Sequence, residues 1–406
     1  MKTTKQILLA VLLLFSVTEA IADWTLTSGV GTRYGNTLYT IGETIFAGTD
    51  SGAYRSTNNG LNWTLINNGF HTTTHRAYDF AYNNGKLWCA TSNTGPYYST
   101  NNGDLWIREF SYTIDHSYSI EASDQYVYAG HNSSMKYTTN LGQNWTNMGS
   151  TTDGRDGLVI SNNNVFAVSF GDIYKSVLGS TNWVSIRGNL AANIDVLDLR
   201  FKNNILYIAT NRGVWNSTNE GTDWSNINIF NFSTHFTAID LINTHVIAST
   251  QSKVYITADN GSNWADITGA LPVTSNNEIS EIAYNSNYVF VILENTGFVY
   301  RRPRSEIIIG ITSISSNVPD KYSLSQNYPN PFNPTTNINF NVPKSGLVKM
   351  IVYDINGREI STLVNQEMTP GSYKVDFDGS SLSSGIYYYT LTSGDFVETK
   401  KMMLVK

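Results

Sequence analysis

Carboxylates are the residues whose recurrence here could do chemistry. Asp79, Asp198, Asp240 and Glu281 fall at similar places in four strand-like runs. Brought together, they would form an acidic lining able to hold a cation. Alternatively, each is a packing device hydrogen-bonded to a neighbouring strand. A catalytic acid needs an environment of its own to shift its pKa, and a recurring residue has no such uniqueness. The recurrence argues against a catalytic pair, and no catalytic residue is assigned.

Other chemistry finds little support. Of the six histidines (His71, His75, His116, His131, His235 and His245), only His71 and His75 have His-x-x-x-His spacing, and surface histidines are the default reading. With no Cys-x-x-Cys and no Asp-x-Asp-x-Asp-Gly loop, no metal is expected. Cys89, the single cysteine, has no base near it in sequence and reads as a small buried hydrophobe. Neither a phosphate-binding glycine loop nor a Gly-x-Ser-x-Gly elbow is present, and no cofactor is expected.

The remaining candidates lie in loops. Arg76, Arg155 and Arg187 could contact an acidic sugar or could simply be solvated. Phe70, His71, Phe110, Phe230 and Phe232 share these loops. Aromatic and amphipathic loop side chains suit carbohydrate or peptide binding, unless they pack beneath their own loops. The expected ligand-binding face is His75, Arg76, Tyr112, His116, Arg155, Asp156, Arg187 and His235.

Such loops need a rigid frame, and the sequence offers a repeat. Trp24, Trp63, Trp106, Trp145, Trp183, Trp224 and Trp264 stand about forty residues apart. Five of them close one phrase, Ser56-Thr57-Asn58-Asn59-Gly60-Leu61-Asn62-Trp63 in its first copy. It returns at 99–106, 138–145, 217–224 and 257–264, and in degenerate form at 176–183. A period of that length, filled with short strand-like runs, means radial repetition of small sheets. The unit at 77–110 reads as four strands joined by Asn-Gly turns, which accept positive φ. Each Trp is expected as a wedge between neighbouring sheets.

The phrase resembles the Asp-box, or BNR-like, repeat of sialidase-type and sortilin-type propellers, with Asn usually replacing Asp. The resemblance covers residues 23 to about 302 and implies a β-propeller. After Trp264 a further unit has three strands and no phrase. Asp23-Trp24-Thr25-Leu26 reads as its missing fourth strand, so seven blades closed by the N-terminal strand are expected. Sialidases also carry an Arg-Ile-Pro segment, which is absent; Arg302-Pro303-Arg304 reads as linker. In that family the boxes lie away from active sites, so the resemblance implies fold more than function.

Composition and the termini speak about location. The chain has 406 residues, only 14% charged, with net charge −6. That balance argues against nucleic acid and anionic membrane as partners. Lys2 and Lys5, an apolar run at 7–17 and Ala20-Ile21-Ala22 read as a signal peptide over 1–22, cleaved before Asp23. The run is too short to span a membrane, which takes about twenty residues.

Composition changes after Pro303. Residues 303–320 read as linker and 321–406 as a small Ig-like β-sandwich, with strands at 337–342, 347–353, 373–377, 385–392 and 396–405. The stretches 327–334, 352–358, 382–387 and 400–406 resemble the type A C-terminal sorting domain of the type IX secretion system. Its motif positions here are Pro329, Asn330, Pro331, Gly357, Arg358, Gly385, Lys400 and Lys401. The resemblance implies passage from the periplasm across a Gram-negative outer membrane. Its partners would be the secretion machinery and a surface sortase. The expectation is an all-β chain, a seven-bladed β-propeller followed by a sandwich. Its function would be noncatalytic recognition of polysaccharide or protein outside the cell. A propeller-type glycoside hydrolase or lyase and a protein-docking assembly factor are the rivals.

Overall fold

The computed structural model describes residues 23–406 except 32–33, 72–75, 109–115, 133, 150–152, 162, 228–233, 243–244, 259, 262–263, 308–310, 316–318, 345, 369 and 380–381. The expected signal peptide, His75, Phe110, Tyr112, Phe230 and Phe232 lie outside the described residues.

Short alternating runs bury one face each and must stack to hide it. Here seven small antiparallel sheets do so, and we number them blades 1 to 7. Their first strands are Gly35–Ile41, Ala77–Asn83, Ser117–Ala122, Gly157–Ser161, Val196–Lys202, Phe236–Ile242 and Ile279–Tyr284. Each first strand touches the next, and the seventh touches the first, so the sheets close a ring. The N-terminal strand Thr25–Leu26 pairs with Val299–Pro303 as the outer strand of blade 7. Blade 2 departs slightly: its described outer segment makes one bridge, Ile107 to Tyr98, instead of a paired strand.

The seven tryptophans occupy seven hydrophobic clusters, one at each joint between blades. Trp106, for example, packs with Phe46 of blade 1 and Phe80 of blade 2. Four of the indoles repeat one bond. The N–H groups of Trp24, Trp106, Trp224 and Trp264 donate to the carbonyls of Ile267, Ile66, Ile186 and Ile227. The wedge is thus also a hydrogen bond to the preceding blade.

The repeated phrase folds as a self-bonded turn. Ser56 donates its hydroxyl to Asn58 Oδ1 and accepts the Gly60 N–H; Asn58 Oδ1 also accepts the Asn62 N–H. The same three bonds recur at Ser99, Thr138 and Ser217. The residue before the glycine is left-handed as well, at Asn59, Asn102, Leu141, Glu220 and Asn260. The degenerate copy differs: Ser176 donates to the Ser180 carbonyl.

The C-terminal sandwich has two four-stranded sheets over one core that includes Phe332, Phe340, Tyr389 and Leu404. The strands Thr335–Val342, Gly346–Tyr353, Gly371–Asp378, Gly385–Ser393 and Phe396–Leu404 match the expected runs. A long strand, Glu359–Met368, escaped the sequence reading. Part of the stretch read as linker carries structure. Arg304–Ile307 is one helical turn whose Ile307 is buried among residues of blades 6 and 7. Ile311–Ser315 pairs with Gly371–Asp378.

Candidate functional site

Seven first strands surround one central channel, a cavity of about 600 Å³. The strands are laced to one another around it. Asn36 donates to the Ala77 carbonyl, and Ser280 to the Gly35 carbonyl. Asp79 Oδ2 accepts the Ile120 N–H of the next blade, and Asp198 Oδ2 accepts that of Ile239, each at 2.9 Å. The packing reading of the recurring carboxylates therefore holds for these two, which tie blades together and also line the channel.

Arg200 lies at the centre of the other half. Its guanidinium donates to Asp198 and Glu281, and its Nε stands 3.9 Å from Asp240. One cation thus joins blades 5, 6 and 7. Burial alone would lower its pKa, but Asp198, Glu281 and Asp240 reverse that and hold it firmly charged. These three carboxylates keep 13–18% of their side-chain surface open to the channel and are walled by protein otherwise.

Blades 2 and 3 contribute acids that Arg200 does not contact. Burial pushes Asp79 up to about 7, against the Ile120 and Phe80 N–H groups it accepts and the charge of Arg200. Glu121 is pushed up to about 8 by burial and then by the charge of Asp79. Glu281 also rises to about 8, through burial, despite Arg200. Asp198 and Asp240 are raised by burial too. Glu121 went unseen in the sequence, although it sits fifth in its strand as Asp240 does, whereas Asp79, Asp198 and Glu281 sit third. Among the described residues no group of His, Cys, Asp and Glu is arranged to hold a metal ion.

The loop residues split. Four of them gather at the start of the first strands of blades 2 to 4, at one mouth of the channel. Arg76 shares a hydrogen bond with Tyr78 that raises its pKa. The Tyr78 ring packs on Tyr118 at 5.1 Å, and His116 stacks on Tyr118 at 5.7 Å. The Arg155 guanidinium lies 4.3 Å over the same ring. Asp156 accepts the N–H of Phe170, and its carboxyl is raised by burial and by Asp153. Arg155, Asp156, Tyr78 and Tyr118 all line the cavity.

Arg187 and His235 do other work. Arg187 pairs with Asp172 and donates to the Ala191 and Ile194 carbonyls, binding its own loop together. His235 is half-buried and lies near Glu278. Tyr78 and Tyr118 were missed as site residues, because a tyrosine inside an alternating strand reads as packing.

The sorting motifs are knitted into the sandwich. Asn327 donates to Thr336 Oγ1 and the Pro329 carbonyl, and Asn330 Oδ1 accepts the Met403 N–H. Asp354 accepts the Asn356 and Arg358 N–H groups around Gly357, which is left-handed at φ 77°. Gly385 opens a strand, Lys400 pairs with Glu398, and Lys401 is exposed.

A closed ring of small sheets with a sandwich behind it defines a β-propeller protein carrying a C-terminal module. Comparison with known proteins agrees. Residues 326–406 match the family described as the secretion system C-terminal sorting domain, so the sandwich is a type IX sorting domain. Such a tail implies secretion or surface display. The structure is similar to that of YCF48 bound to D1 peptide: TM-score 0.56, 15% identity, covering 71% of this chain and 99% of that one. It is also similar to the extracellular domain of BT4673 from B. thetaiotaomicron: TM-score 0.55, 11% identity, covering 95% of this chain and 59% of that one. A chain of the mitotic checkpoint complex gives TM-score 0.54 at 9% identity, covering 74% and 99%. At these identities the likeness is one of fold. No curated protein matches the chain.

Proposed function

We infer that this is a secreted recognition propeller that binds an extracellular peptide or polysaccharide at the channel mouth without transforming it. One observation carries the reading. The mouth joins two packed tyrosines, a histidine stacked on one of them and an arginine to an open cavity large enough for a side chain or a sugar. Asp79, Asp198 and Glu281 are occupied with N–H groups and with Arg200, which is structural work. The solved relative whose bound partner is named holds a peptide, which favours the peptide over the sugar. Delivery would follow the sequence reading: signal cleavage before Asp23, periplasmic transit, then sortase processing or release.

The test is a paired peptide and glycan array probed with residues 23–406. Binding that disappears in Tyr118→Ala and Arg155→Ala supports the mouth. Binding that survives both places recognition elsewhere.

The hydrolase reading keeps one specific support. Asp79 and Glu121 are buried carboxyl groups that sense each other's charge, and both are raised by burial, so they can carry protons near neutrality as a general acid must. Release of reducing sugar by the protein, abolished in Asp79→Asn, would establish it.

A further inference from the structure

Phe170 is out of place by ordinary physics. It stands in the tight turn between Asn164–Ser169 and Asp172–Val177 of blade 4 and is 81% exposed. Its φ is 53°, a left-handed conformation that costs an aromatic residue energy and suits glycine or asparagine. Asp156 holds its N–H at 3.1 Å, which fixes the turn beside Arg155 and the Tyr118 ring beneath it. An apolar knob thus flanks an aromatic shelf at the mouth. Aromatic and arginine side chains are what carry most energy in recognition surfaces.

Carboxyl groups outnumber guanidinium groups in the channel lining: Asp79, Glu121, Asp156, Asp198, Asp240 and Glu281 stand with Arg155 and Arg200. Asp79 lies one residue, about 3.3 Å of strand, beyond Tyr78 of the shelf. It accepts two N–H groups of the roughly four a carboxylate can take. Tyrosine walls suit the aliphatic stem of a long basic side chain, and their faces attract its cation. An acidic sugar would find Arg200 at this depth already shared by Asp198, Asp240 and Glu281.

Building on recognition at the mouth, we propose that the ligand is an extended peptide that sends a lysine or arginine side chain down the channel and lays a neighbouring apolar residue against Phe170. Charge complementarity selects the basic residue, and the exposed ring selects its neighbour.

The binding is proton-linked. Asp79 and Glu121, held up to about 7 and about 8, carry protons near neutrality, and an arriving cation favours their ionised forms. The groups facing them are Asp198, Asp240, Glu281 and Arg200 across the channel, with Tyr39 of blade 1. Cys89 stands behind Asp79, and Tyr78, Tyr118, Arg155 and Asp156 stand at the mouth. Binding therefore releases protons, and affinity rises with pH across that range.

Residues 23–406 would be probed with a positional-scanning heptapeptide array and with chito-oligosaccharide, which offers a cation on a sugar. Peptide hits would be measured by calorimetry at about pH 6 and about pH 9. The expected result is lysine or arginine selected at one position, with glutamine there costing about tenfold or more. Affinity should be higher at the upper pH. Phe170→Gly should weaken binding about tenfold while leaving the melting midpoint unchanged or raised, since glycine relieves the left-handed turn. Peptides held at the mouth with no preference for a basic residue, or with full affinity in Phe170→Gly, overturn the proposal and leave recognition standing. Chito-oligosaccharide bound in place of peptide overturns it too. No binding of any array ligand removes both.

Discussion

At the scale of single residues, Arg200 is the side chain on which most depends. It is shared by carboxylates from three blades, so removing it leaves several buried charges facing one another. Arg200→Gln is expected to cost about 3 kcal/mol, the low end for breaking a buried pair, because the channel admits some water. A shift in the urea midpoint reads this directly, and an unchanged midpoint would mean the cluster contributes nothing. The acids also set a pH dependence. Asp79, Glu121 and Glu281 have folded pKa values of about 7, 8 and 8, above their ordinary 3.8 and 4.5. Between those limits the folded state binds more protons than the unfolded one, so stability falls as pH rises. The melting temperature should therefore decline from about pH 5 to about pH 8, and Asp79→Asn with Glu121→Gln should flatten the curve. A curve that rises over this range contradicts the burial of these acids.

At the scale of elements, the tryptophan wedge is the unit that repeats. Trp106 is 2% exposed and its N–H is bonded to Ile66. Trp183 is half-buried, and its indole nitrogen has no hydrogen-bond partner. Trp106→Ala should cost about 3–5 kcal/mol and Trp183→Ala clearly less. Equal losses by chemical denaturation would mean that the indole bond and its burial are irrelevant. These elements were the most legible part of the chain. Repetition makes a packing residue visible, because the same Trp and the same Ser-x-Asn-x-Gly turn serve the same joint each time. Glu359–Met368 was not legible, since Glu-Ile-Ser-Thr-Leu-Val-Asn-Gln-Glu-Met keeps no clean alternation. Phe170 was hidden because the exposure of a turn residue cannot be read from its neighbours in sequence.

At the scale of the whole molecule, the ring is closed by its two ends. Thr25–Leu26 covers the edge of Val299–Pro303, and Trp24 fills the joint between blades 6 and 7. Deleting residues 23–26 would expose that edge to other chains, and size-exclusion chromatography should show oligomers or aggregate. A well-behaved monomer would mean closure is dispensable. The ring and its closure followed from the sequence because they sum local signals. The site did not, because it exists only where side chains from seven distant strands converge. Arg76, His116, Arg155 and Asp156 were foreseen as loop residues, while their shelf, Tyr78 and Tyr118, was not. Function at this scale rests on that convergence. The most direct test is hydrogen–deuterium exchange on residues 23–406 with and without an array-selected ligand. We expect protection at 76–80, 116–121, 153–157 and 169–171, the segments that meet at the channel mouth. Protection confined to the tryptophan-closed turns or to the sorting sandwich would contradict the account.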